Sequence, residues 1–222
     1  MMLLALDTAT KTMGIALHDG SQVLAESIWS GIGHHTIELA PEVALMLRRI
    51  GSSTSTLSSI AVAQGPGSYT GLRIGMALAK GLALTHNLPL VGIPTLDILV
   101  KGQSKRPEPL LAVIQAGRQR IAGVWYTWGP KGWQSQGEAE SLTWSDVRER
   151  LEERTYICGE LDPVGREVLA EQPHAILAQP AQCVRRPSFL AELAWERLRA
   201  GMTTDPTTLM LIYLKSQVEQ TQ

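Results

Sequence analysis

The catalytic repertoire of this 222-residue chain is bounded by its glycine loops, nucleophiles, acids and metal ligands. The run Gln64-Gly65-Pro66-Gly67-Ser68-Tyr69-Thr70-Gly71 precedes a helical stretch, and backbone N–H groups at a helix start hold anions well. Its spacing misses GxGxxG because position 70 is Thr, and Lys80 is not in a GxxxxGK context followed by Ser or Thr. A structural turn leading into an interface is the stronger reading. Asp7-Thr8-Ala9-Thr10 ends the first apolar run, but a phosphate turn wants Gly after the Asp, and the Thr8 Cβ crowds that approach. Asp7, Thr8 and Thr10 are therefore read as a vestigial nucleotide site or as a solvated turn. Ser68 follows Gly67, yet GxSxG would need Gly at 70. Cys158 ends a predicted buried strand, where a thiol is structural. The five histidines, His18, His34, His35, His86 and His174, form no HExxH and no pair at i, i+4. No catalytic residue and no metal ligand is assigned.

The most distinctive stretch is built for packing. Ala61–Asn87 reads as a short strand, the Gly-Pro-Gly break and a helix over Ser68–Thr85 whose only charges are Arg73 and Lys80. Such a helix is buried nearly all round, in a core or against a partner. Gly71, Gly75, Ala79 and Ala83 recur every four residues and make one ridge of small side chains, which lets backbones approach closely. Each glycine costs about 1 kcal/mol of helix propensity against Ala, so the space it leaves has a use. The expected use is contact with another subunit. Gly67, Ser68, Tyr69, Gly71, Leu72, Arg73, Gly75, Met76, Ala79, Lys80 and Ala83 form the expected interface, with Arg73 and Lys80 at its rim. Gly75→Leu is expected to block pairing and spare the fold.

Around this stretch the pattern predicts strands at Leu3–Leu6, Met13–His18 and Gln22–Ile28, the first hairpin turning at Asp19-Gly20. A helix over Ile37–Ile50 follows, with Thr36 as N-cap, Pro41 inside it and Gly51 past its end. Gly31 and Gly33 loosen the chain before it, and Ser52–Ser59 reads as a mobile loop. Strands at Ile60–Ala63 and Leu90–Ile93 complete β-β-β-α-β-α-β. The second half repeats that order: strands at Leu110–Gln115, Ile121–Trp128, Trp133–Gly137, Tyr156–Cys158 and Ala175–Ala178, with helices at Leu142–Leu151, capped by Thr143, and Pro163–Ala170. Phe189–Arg199 is amphipathic, with Leu190, Leu193, Ala194 and Leu198 on one side. The repeated order predicts an α/β fold of two ribonuclease-H-like lobes of the actin-like ATPase (ASKHA) class. Each lobe is a mixed sheet with flanking helices, over 1–100 and 101–222, joined through Gly92–Pro109. An actin-like ATP-dependent phosphotransferase, using Asp7, is one function this order permits.

A formal net charge of −1 is no nucleic-acid footprint, so any RNA is reached through a partner. Two cysteines far apart fit no disulfide or metal spacing and suit a reducing compartment. The first apolar run stops at Asp7 without a basic region before it, unlike a signal peptide, and the longest apolar region is cut by Lys80, His86, Asn87 and prolines, unlike a membrane span. A cytoplasmic protein is expected.

The run from Ala63 to Gly75, continuing Ala79-Lys80-Gly81-Leu82-Ala83, resembles the signature of the bacterial tRNA threonylcarbamoyladenosine biosynthesis family TsaB. Leu4–Thr10 is similar to that family's start, His35–Pro41 to its His-Ser-x-x-Leu-Leu-Pro helix, and Tyr213-Leu214-Lys215 to its closing Tyr-Leu-Arg. Two positions depart: Gln115-Ala116-Gly117, then Arg118, stands where many members have Asp-Ala-Arg, and Ile212 replaces a Pro. The resemblance implies two actin-like lobes without a working catalytic site. It implies a partner subunit that activates the catalytic paralogue TsaD, which transfers threonylcarbamoyl to the adenosine beside the anticodon (t6A modification). A small ATPase, TsaE, completes the set, tRNA is met only in the complex, and N-lobe helices also form a homodimer. ATP and metal then belong to the partners and none to this chain alone. A metallopeptidase-like protein is the remaining alternative, through distant kinship.

Overall fold

β1 (Leu3–Asp7) has no polar residue before its last, and all five of its residues are buried. A strand apolar on both faces needs cover on both. Leu4 and Leu6 join one core with Leu39, Val43 and Leu47 of α1 (His35–Arg49) and Met76, Ala79 and Ala83 of α2 (Tyr69–His86). Leu3 and Ala5 join the other with Leu190, Ala191 and Ala194 of α6 (Pro187–Arg199). The structure, a computed structural model, describes residues 1–31, 35–117 and 119–214, without the side chains of 35 and 36. The expectations for Gly33, His34, Arg118 and Lys215, and for Thr36 as a cap, lie outside the described residues.

The first sheet has the order β3-β2-β1-β4-β5, with β2 (Thr12–His18), β3 (Val23–Ser30), β4 (Ser59–Gly65) and β5 (Leu90–Pro94). β1, β2 and β3 pair antiparallel, while β4 and β5 run parallel to β1. The Asp19-Gly20 turn forms as expected, with Asp19 Oδ1 accepting the Ser21 and Gln22 N–H groups at 2.8 Å. The second sheet repeats the order: β8 (Gly132–Ser135), β7 (Ile121–Gly129), β6 (Leu110–Gln115), β10 (Thr155–Gly159) and β11 (Ala175–Leu177). α4 (Trp144–Arg150) and α5 (Pro163–Ala170) sit where the pattern placed them, and Thr143 closes a capping box with Asp146. Both sheets thus carry the ribonuclease-H-like strand order.

Three expectations change. Ser52–Ser59 is no mobile loop: it holds a 3-10 turn at Thr54–Thr56, Leu57 is in the core, and the Ser58 hydroxyl bonds the Met2 backbone. Within the stretch the Thr56 hydroxyl donates to the Ser53 carbonyl, and local bonds of this kind order a segment that looks like linker. Gly92–Pro109 contains α3 (Thr95–Lys101), whose Leu96, Ile98, Leu99 and Val100 are buried. Leu142 belongs to an extra strand, β9 (Glu140–Leu142), paired with β7.

Contacts group Met1–Ile98 with Arg186–Ile212 as one unit, and Leu99–Arg185 with Tyr213 and Leu214 as the other. This differs from consecutive lobes over 1–100 and 101–222, because α6 buries its apolar face in the first sheet. The start of α6 is fixed from afar: Arg186, at its N-cap, makes no side-chain cap, and Glu26 of β3 accepts the Ser188 N–H at 2.9 Å and pairs with Arg186.

Candidate functional site

The site is the meeting of the β1–β2 turn with the start of α2. β1 brings Asp7 to the sheet's end almost fully buried, and its Oδ1 accepts the Ala9 N–H at 3.0 Å. Thr10 Oγ1 accepts the Thr12 N–H at 3.3 Å, closing the turn. β4 then ends at Gly65, and Ser68 caps α2 by accepting the Gly71 N–H at 3.3 Å. Asn87, in the left-handed region at φ 51°, ends the helix.

The two pieces interlock through backbone. The Ser68 N–H donates to the Ala9 carbonyl at 2.6 Å, and the Thr8 hydroxyl donates to the Gly71 carbonyl at 2.7 Å. A Cβ at Gly67 would overlap the Ala9 carbonyl, one at Gly71 the Thr8 carbonyl, and one at Gly75 the Thr8 hydroxyl. These three glycines serve close approach, as expected, but to the chain's own turn. Leu72, Met76, Ala79 and Ala83 lie on the same inward face and are buried. The small-residue ridge expected to meet another subunit is internal packing, and Gly75→Leu would strike Thr8 before it reached any partner.

The other face of α2 is open. Tyr69 is 55% and Leu84 59% exposed, and Thr70, Arg73, Ala77 and Gly81 are exposed between them. Ile74, Leu78, Lys80 and Leu82 flank this row half-buried. The Arg73 guanidinium lies over the Tyr69 ring, 3.9 Å from its centroid, and a Cβ at Gly81 would meet open space. Of the expected interface residues, Ser68, Tyr69 and Arg73 are exposed, and Lys80 is half-buried with Nζ 3.5 Å from the Thr207 carbonyl. Ala77, Gly81 and Leu84 are exposed as well, and a period of four from Tyr69 and Arg73 runs through Ala77 and Gly81.

The remaining candidates are accounted for locally. Ser68 Oγ is the helix cap, and burial pushes the Cys158 thiol far up, which keeps it protonated and inert. His18 Nδ1 accepts the Gly20 N–H at 2.8 Å in the first hairpin. Among the described residues no three His, Cys, Asp or Glu side chains gather where they could hold a metal ion. In the second unit Gln115, the departing position, donates its N–H to Glu160 Oε2 at 2.8 Å, and its side-chain amide reaches the Glu160 carbonyl at 3.0 Å. Glu160 also pairs with the buried Arg185 at 3.6 Å.

The described residues contain no helix long and apolar enough to cross a membrane. Residues 22–138, just over half the chain, match the family model of TsaD, tRNA N6-adenosine threonylcarbamoyltransferase. The tRNA threonylcarbamoyladenosine biosynthesis protein TsaB of Escherichia coli (strain K12) is 32% identical over 168 residues, 74% of this chain and 71% of that protein. The chain belongs to the TsaB family of tRNA threonylcarbamoyladenosine biosynthesis proteins. The TsaB of Bacillus subtilis (strain 168) is 41% identical over 99 residues, which cover 45% of this chain but only 43% of that protein. A solved structure of YeaZ from Pseudomonas aeruginosa superposes with a TM-score of 0.75 at 25% identity, over 96% of this chain and all of that one. The interlocked turn and α2 carry the residues that the TsaB resemblance rested on.

Proposed function

We propose that the chain is a non-catalytic partner subunit in threonylcarbamoyladenosine formation on tRNA, and that it docks a TsaD-like catalytic paralogue on the outward face of α2. The observation that carries this reading is the division of α2 into two faces. The start of the helix is fastened to Thr8 and Ala9 by two hydrogen bonds. The outward face presents an aromatic ring, a guanidinium and a shallow row at Ala77 and Gly81, flanked by half-buried aliphatics. A helix with small residues along an exposed row accepts a second helix closely.

The β1–β2 turn supports the non-catalytic part. The Thr8 side chain and the start of α2 fill the space above the turn, and the Thr8 hydroxyl and Asp7 Oδ1 bond the chain's own backbone. These contacts within the chain support the reading that the turn holds no nucleotide. In this reading ATP and metal belong to the paralogue and to a TsaE-like ATPase, tRNA is met only in the assembled complex, and the complex works in the cytoplasm. Alone, the same α2 face pairs two copies of the chain. Docking acts by mass action: a subunit that binds one arrangement of the paralogue more tightly raises its population. The test is reconstitution of threonylcarbamoyl transfer to tRNA with the paralogue, with and without this chain. Transfer that needs the chain supports the reading; equal transfer without it overturns it.

A further inference from the structure

A distant part of the chain returns to this site. Gln64 Nε2 donates to the Met210 carbonyl at 2.6 Å, and the Gln64 carbonyl accepts the Ile212 N–H at 2.8 Å. The next residue, Gly65, has φ 112°, and a Cβ there would overlap the Ile212 carbonyl. Upstream, Thr204 bridges Leu90 of β5, donating its N–H to the Leu90 carbonyl at 3.0 Å. Leu209 is buried in the core beside α2 and β5, and its side chain packs on Gly92. The Lys80 ammonium reaches the Thr207 carbonyl. The segment Thr204–Ile212 therefore touches β5, the end of β4 and α2 together.

This places a third restraint on the turn from which α2 starts. The Gly65 N–H donates to Thr95 Oγ1 at 3.2 Å, and the Ser68 N–H to Ala9. Ile212 closes the remaining side of Gly65. We propose that Gln64 is a positioning residue: it fastens the C-terminal segment over Gly65, and so sets the direction in which α2 presents its docking face. Within the segment Met210 is 76% and Ile212 38% exposed. The inference rests on α2 being the docking helix.

Two variants test it. Gln64→Ala removes the bond to Met210 and leaves the backbone bond to Ile212. A chain ending at Leu209 removes both, yet keeps the Thr204 bridge and Leu209 in the core. Hydrogen exchange over Gly67–Arg73 is read in the isolated chain, and affinity for the catalytic paralogue is read separately. One lost backbone-directed hydrogen bond speeds local opening about fivefold, so Gln64→Ala is expected to raise exchange by that factor, and the truncated chain by more. β1 stays unchanged, and affinity for the paralogue falls by a similar factor. Unchanged exchange over Gly67–Arg73 in the truncated chain overturns the proposal whatever the affinity, as does faster exchange spread over the whole first unit. Local opening with full affinity overturns the positioning role. If Ala77→Arg also leaves affinity intact, the docking reading itself fails, so the two failures are told apart.

Discussion

The Thr8 hydroxyl occupies the place where a side chain on Gly75 would begin, and it holds that place by donating to the Gly71 carbonyl at 2.7 Å. Thr8 is β-branched and stiff at χ1, so its hydroxyl leaves only by breaking this bond. One residue of the first turn thus explains two glycines of α2.

Gly75→Ala is accordingly expected to destabilise the chain. The helix gains about 1 kcal/mol of propensity from Ala, but a methyl forced onto a fixed hydroxyl costs about 1–3 kcal/mol. Thr8→Ala makes room, so the double variant should be less destabilised than the sum of the singles by about 0.5–3 kcal/mol in urea unfolding. Strict additivity would mean that the two side chains do not share the space.

Glu26 and α6 predict a pH dependence. Burial acts to raise the Glu26 carboxyl, but the Arg186 guanidinium and the Ser188 hydroxyl and N–H outweigh it and hold the group below its usual range. A carboxyl depressed in the folded state contributes its full stability above the unfolded value, about 4.3, and loses it as pH falls through the folded one. Glu26→Gln should therefore cost about 1.5–3 kcal/mol at neutral pH, the scale of hydrogen bonds to a charged group. The gap to the unaltered chain should close as pH drops well below 4.3 in urea unfolding followed against pH. A gap that stays constant to acid would remove the charge from the account.

Nucleotide binding separates the partner reading from an actin-like phosphotransferase. With the space above the β1–β2 turn filled by Thr8 and α2, calorimetry of the isolated chain with Mg-ATP should give no saturable heat. Micromolar binding would restore the phosphotransferase.

Much of the fold was legible because its signals are local. Period-two and period-four apolar patterns, Asp19-Gly20 and the Thr143 cap place strands and helices within a few residues. The sidedness of α2 was not legible. Its inward ridge looks like an interface motif because a buried helix of small residues has one pattern, whether the neighbour is its own sheet or another chain. Thr8 reads from the sequence only as an obstacle to phosphate, because its hydrogen-bond partner on α2 lies 63 residues away and leaves no trace in spacing. α6 was legible as amphipathic, though not as part of the first unit, since its cap, Glu26, is 162 residues distant. Gln64 passed unnoticed for the same reason: both of its partners come from the chain's far end.

We propose that the outward face of α2, not its glycine ridge, carries the function. Ala77→Arg changes an exposed position, so stability should stay within about 0.5 kcal/mol of the unaltered chain. The deciding measurement is threonylcarbamoyl transfer to tRNA by the reconstituted paralogue, at matched concentrations of the unaltered and Ala77→Arg chains. Transfer should fall at least tenfold with the variant, the factor that a loss of about 1.4 kcal/mol of docking energy gives. Full transfer with a folded Ala77→Arg chain would mean that this face does not dock the paralogue.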